Sequence, residues 1–149
     1  MAIEEIMGNF PAEFSYGKDQ YSISAGPFGD WRDENWWQIH VNQMRKRPFG
    51  RVSNRSVARI TLKESGDGFH LMGNYNLSGK GSDRVPGIVG EAIQQVVEST
   101  GLSLAVDGLT DQGVQLYERL FHEHRETINV MRLDYGVYRI SPRLNKLDL

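Results

Sequence analysis

One apolar stripe constrains this 149-residue chain more than any other feature. Val89, Ala92, Ile93, Val96 and Val97 recur at i, i+3, i+4, i+7 and i+8, the spacing of a single helix face. The pattern predicts a helix from about Pro86 to Ser99, stopped by Gly101. Ahead of it, Phe69, Leu71, Gly73, Tyr75 and Leu77 follow a period of two, the mark of a strand. Behind it, Leu102 to Val106 is a short apolar run that reads as a buried strand. Strand, helix and strand joined by short connections predict a parallel pair bridged by the helix.

The other segments are placed around this unit. Residues 13–25 alternate about Gly17-Lys18-Asp19, as a hairpin or one long edge strand. Gly26-Pro27-Phe28-Gly29-Asp30 breaks the chain. Asp33 is expected to cap a helix running to about Arg45, with Trp36, Trp37, His40, Val41 and Met44 at helical spacings. Phe49 to Arg55 reads as loop. Ser56 to Lys63 is β-rich, and Ser65-Gly66-Asp67-Gly68 is a turn signal. Thr110 is expected to cap a second helix, Asp111 to about His122. Thr127 to Ile140 reads as two strands about Asp134-Tyr135-Gly136.

Composition narrows the function classes. Hydrophobic residues make up 39% and charged residues 24%, a globular balance, and the length suits one domain over 1–149. Seventeen Lys and Arg against nineteen Asp and Glu give a net charge of −2. That argues against coating nucleic acid through bulk charge. With no cysteine there is no disulfide framework, thiolate metal site or cysteine nucleophile. No apolar run has the length of a membrane span. Met1-Ala2-Ile3-Glu4-Glu5-Ile6 is acidic and lacks a signal-peptide pattern, so a cytoplasmic location is expected.

Gly79-Lys80-Gly81-Ser82-Asp83-Arg84 is a glycine-rich loop opening a helix. The first turn of a helix offers unpaired N–H groups and a positive dipole end, and Arg84 adds a fixed charge. Arg84-Val85-Pro86-Gly87-Ile88-Val89-Gly90 resembles the Arg/Gln-x-x-Gly-x-Gly/Ala loop of the GNAT N-acetyltransferase superfamily. Thr110 to Phe121 resembles that family's Asn-x-x-Ala-x-x-Leu-Tyr segment, most closely at Tyr117-Glu118-Arg119-Leu120. The match covers about residues 69–121.

The resemblance implies an α+β, GNAT-like central mixed sheet with helices on both faces. It implies acetyl-CoA as cofactor and an amine acceptor, a small molecule or a protein. Leu77, Arg84, Val85, Gly87, Ile88, Val89 and Thr110 would bind the cofactor, with the pantetheine where the two parallel strands splay apart. Tyr117 would protonate the leaving thiolate as general acid. Pro86 has no N–H, and the branched Val89 would crowd a phosphate. These departures motivate the alternative of a catalytically inactive module that binds a protein partner.

Other candidates read as structural. Glu64 at a strand end could serve as base but reads as a turn residue. His122-Glu123-His124 with Glu126 places its histidines on different sides of a helix, so no metal is expected. Trp31, Trp36 and Trp37 read as sheet packing or an acceptor wall. Arg45-Lys46-Arg47 with Arg51 and Arg55 reads as a charged loop. No stacking platform of the RNA-binding type accompanies it, so nucleic acid is not expected. A homodimer is left open.

Overall fold

The fold comes from a computed structural model that describes residues 12–27, 36–46, 48–65, 68–123 and 128–142. Among these residues, eight strands form one mixed sheet. They are β1 (Ala12–Tyr16), β2 (Asp19–Pro27), β3 (Trp36–Lys46), β4 (Val52–Ser65), β5 (Gly68–Asn76), β6 (Leu104–Val106), β7 (Ile128–Asp134) and β8 (Val137–Pro142). Helix α1 (Ile88–Thr100) joins β5 to β6, and α2 (Asp111–Glu123) joins β6 to β7. The order across the sheet is β1-β2-β3-β4-β5-β6-β8-β7. Every neighbouring pair is antiparallel except β5 and β6, which run parallel as the strand–helix–strand pattern predicts. No described helix is long and apolar enough to cross a membrane.

The expected α+β, GNAT-like arrangement with helices on both faces is overturned. The described molecule is mostly sheet, and its two helices pack on one face and touch each other. A Cβ on Gly90 of α1 would meet Leu120 and Leu116 of α2 at 3.3 and 3.6 Å. Both helices join the same core as Ile23, Ile39, Val41, Ile60, Leu62, Leu104 and Ile140 of the sheet.

The helix expected over 33–45 is the source of the error. Residues 36–46 form β3, bonded to β2 on one side and to β4 on the other. Trp37, Ile39, Val41 and Gln43 alternate toward the core, and Ile39 and Val41 are fully buried. Gln43 hid this period, because a polar residue occupies a core position. Asp33 and Trp31 lie outside the described residues. The loop expected over 49–55 is shorter than read, since β4 begins at Val52.

The period-two reading of β5 holds only for its first half. Leu71 pairs with Leu62 and Gly73 with Thr61, so Met72 is an extra residue, a β-bulge. Past the bulge the faces exchange. Asn74 and Asn76 oppose the core residues Ile60 and Ala58, while Tyr75 turns outward and is exposed.

The remaining expectations match local chemistry. Gly101 ends α1 in the left-handed region at φ 74, its N–H donating to the Val97 carbonyl at 2.9 Å. Thr110 Oγ1 accepts from the Gly113 N–H at 3.2 Å and caps α2.

The strand assignment makes a discriminating prediction. On the helical stripe His40 would be buried and Ile39 would not; on β3 the roles reverse. Ile39→Ala is expected to cost about 2–5 kcal/mol in urea unfolding. His40→Ala should change stability by no more than about 0.5 kcal/mol. The opposite ranking would restore the helix.

Candidate functional site

The site begins where β5 and β6 part. Their ladder has two pairs, Phe69 with Leu104 and His70 with Ala105. Beyond His70, β5 runs on to Asn76 with no ladder partner on that side among the described strands. Helix α2 lies over this gap. Tyr117 projects from it, fully buried, and its hydroxyl accepts from Asn74 Nδ2 at 2.8 Å. Burial pushes the phenol well above its ordinary value, partly offset by the Asn74 bond, so it stays protonated at neutral pH. Tyr117 stacks on Tyr138, with ring centroids 5.5 Å apart. The Tyr138 hydroxyl donates to Glu118 Oε1 at 2.8 Å. Burial and that carboxylate push the Tyr138 phenol up to about 12. Glu118 in turn accepts two bonds from Arg132, at 2.9 and 3.0 Å.

The loop from Leu77 to Gly87 is knotted by side chains. Asn76 Oδ1 accepts from the Ser78 N–H at 3.0 Å and from Ser78 Oγ at 2.6 Å. Ser78 Oγ accepts from the Val85 N–H at 2.8 Å, and Asn76 Nδ2 donates to the Val85 carbonyl at 3.1 Å. Arg55 of β4 clamps the same loop from the sheet. It donates to the carbonyls of Ser78 at 2.9 Å and Asp83 at 2.8 Å, and it is held by Gln43 Oε1 at 2.7 Å. Arg55 is therefore a structural tie and not part of a charged loop.

This knot fixes where α1 starts. Gly87 caps it at φ 78, and the first helical bond runs from the Glu91 N–H to the Gly87 carbonyl at 3.0 Å. The N–H groups of Ile88, Val89 and Gly90 precede that ladder. Tyr16 of β1 reaches across and donates to the Pro86 carbonyl at 2.8 Å. A Cβ on Gly87 would stand 2.5 Å from that hydroxyl. A groove of 290 Å³ opens there, lined by Tyr16, Pro86, Gly87 and Glu91 with Leu116 and Arg119 of α2.

The sequence-based candidates are thus distributed unevenly. Gly87 lines the groove. Ile88 and Val89 do not line it, and both side chains are buried in the core. Val89 therefore does not crowd the space outside the helix end. The Arg84 and Val85 N–H groups are spent inside the loop, on Gly81 and Ser78. The Arg84 side chain is exposed. Leu77 is exposed at the end of β5, its N–H bonded to the Val57 carbonyl at 2.8 Å. Thr110 serves as a helix cap. Tyr117 sits over the gap and not on the groove wall.

Glu64 pairs with Phe69 at the far end of β5, roughly 23 Å along the strand from the loop, and takes no part. His122 lies 3.7 Å from Glu118, while His124 and Glu126 fall outside the described residues. The roles of Tyr16, Asn74, Asn76 and Ser78 escape the sequence reading, and Arg55 reads there only as one of a basic run. For Asn74 and Asn76 the signal is polarity on a strand, which the Met72 bulge conceals by exchanging the faces. The chain matches no model of a known protein family, and no curated protein is significantly similar to it.

Two outcomes follow from this geometry. Gly87→Ala is expected to lose about 2–4 kcal/mol, from a strained φ and the collision with Tyr16. In a Tyr16→Phe background the loss should shrink to about 1–2 kcal/mol, because the colliding oxygen is gone. Equal losses in both backgrounds, by urea unfolding, would break the link. Separately, Arg132 and Tyr138 hold the Glu118 carboxyl below its ordinary 4.5. A lowered folded value adds stability above the unfolded value and loses it as pH falls through the folded one. Glu118→Gln should therefore flatten the decline in melting temperature below about pH 4.5.

Proposed function

We propose that the chain is an acetyl-CoA-dependent N-acetyltransferase acting on a primary amine. The observation that carries this is the parallel pair β5–β6, which parts after two pairs and faces a helix start held open by Gly87. A gap between strands exposes main-chain donors and acceptors to which an extended amide-bearing chain can bond. The helix start supplies what a diphosphate needs: N–H groups of Ile88, Val89 and Gly90, and a Gly87 without a Cβ. Arg119 on the groove wall adds a guanidinium. These groups support the cofactor reading, although Pro86 contributes no donor and the Glu91 carboxylate lines the same groove.

The cofactor supplies an activated acetyl thioester. The protein holds it, excludes water and manages protons. Tyr117 carries the proton suited to a leaving thiolate. Asn74 occupies one acceptor site of its oxygen, which leaves the phenolic hydrogen free to point elsewhere. These roles are the ones that the resemblance of residues 84–90 and 110–121 to GNAT acetyltransferases implies. A second reading, an inactive module that binds a protein partner, is favoured by one observation: the Arg84 and Val85 N–H groups are already spent within the loop.

Calorimetric titration with acetyl-CoA separates the two. The acetyltransferase reading expects micromolar binding, and release of free thiol on addition of amines. Tyr117→Phe is expected to lower turnover on the order of 100-fold with acetyl-CoA affinity kept. Unchanged turnover would remove Tyr117 from the chemistry. Absence of binding by a folded wild-type protein would leave the inactive module.

A further inference from the structure

The β3–β4 connection carries a feature that the acetyltransferase reading does not use. Phe49 is 100% exposed at its tip. It is also held at φ 67 and ψ 28, in the left-handed region that aromatic residues avoid. Nothing in the core requires either property. The tip is flanked by cations: Arg45 and Lys46 at the end of β3, and Arg51 just before β4. Lys18, in the β1–β2 turn, approaches from the neighbouring hairpin. Lys18, Arg45 and Lys46 line a cleft of 580 Å³ with Asp19, Gln20, Met44 and Val52.

The cleft lining is net positive, with Lys18, Arg45 and Lys46 against the single carboxylate of Asp19. Among the described residues, none of Lys18, Arg45, Lys46 or Arg51 forms an ion pair. Asp19 accepts from the neutral Gln43 amide at 2.8 Å and offsets one of these charges. Like charges gathered from three places without partners repel one another unless an anion lies between them. An exposed aromatic ring beside such a cleft supplies what a purely electrostatic patch lacks, a flat face for a base.

We infer that the β3–β4 tip is a nucleic-acid-binding finger. Lys18, Arg45, Lys46 and Arg51 track the phosphate backbone, and Phe49 stacks on a base or wedges between base pairs. This is independent of the acetyl-CoA site, and it revises the expectation that nucleic acid is not a partner. That expectation rests on the net charge of −2 and the lack of a stacking platform; the local cationic cleft answers the first and the exposed Phe49 ring the second.

Fluorescence anisotropy tests it, with a labelled single strand of about 16 nucleotides and a duplex of the same sequence. The full chain is expected to bind one or both at low salt. Phe49→Ala should weaken binding on the order of tenfold, with the melting temperature unchanged because the ring touches no core. Lys46→Glu should weaken binding and reduce the slope of log K against log salt by about one. Preference for the single strand would assign Phe49 to stacking, and preference for the duplex to wedging. Failure to bind either oligonucleotide would overturn the proposal. So would binding that Phe49→Ala leaves unchanged, or that polyglutamate competes for equally well, since both mark a diffuse charge effect.

Discussion

The structure turns on the short union of β5 and β6. A parallel pair cannot be made by a tight turn, so the chain must leave the sheet and return through a crossover. Here the crossover is α1, whose stripe of Val89, Ala92, Ile93, Val96 and Val97 is buried against the sheet. The two strands then separate, and the groups on the freed edge of β5 must find other partners or face a ligand. The side chains of Asn74 and Asn76 instead link β5 to what lies beside it. One tethers α2 through Tyr117, and the other ties the loop through Ser78 and Val85. Both point inward only because Met72 is bulged out. A single extra residue thus decides which face of β5 carries amides.

The loop is held from the sheet as well as from within. Gln43 is almost fully buried, yet its amide is satisfied on both sides, donating to Asp19 and accepting from Arg55. Arg55 then reaches two loop carbonyls. A buried polar residue with all its bonds made is costly to displace, since any change leaves a partner unsatisfied. The start of α1 is therefore positioned by β3 and β4, strands with no sequence proximity to it.

Much of this organisation was legible in the residues. The stripe of α1, the stop at Gly101, the Thr110 cap and the tail hairpin follow from local periodicity and turn chemistry, and the structure has each of them. Residues 36–46 mislead because Trp36, Trp37, His40, Val41 and Met44 satisfy a helical period, while the strand period of Trp37, Ile39, Val41 and Gln43 is broken by a polar residue. Pairing on both sides decided the matter, and pairing is not local. The site was less legible. Gly87 and the helix start could be read from the glycine pattern, whereas Tyr16 acts across seventy positions. Arg55 looked like one member of a basic run until its neighbours in space were known.

The narrowness of β6 has a mechanical consequence. Its three residues join five strands on one side to two on the other, through two pairs to β5 and three to β8. The sheet is therefore two stiff plates hinged along a thin seam, with α1 and α2 as braces across it. Few ladder pairs cross that seam, so the two plates are held together chiefly by the hydrophobic core that spans both. Because the seam is also the mouth of the gap, whatever fills that gap would act as a rivet.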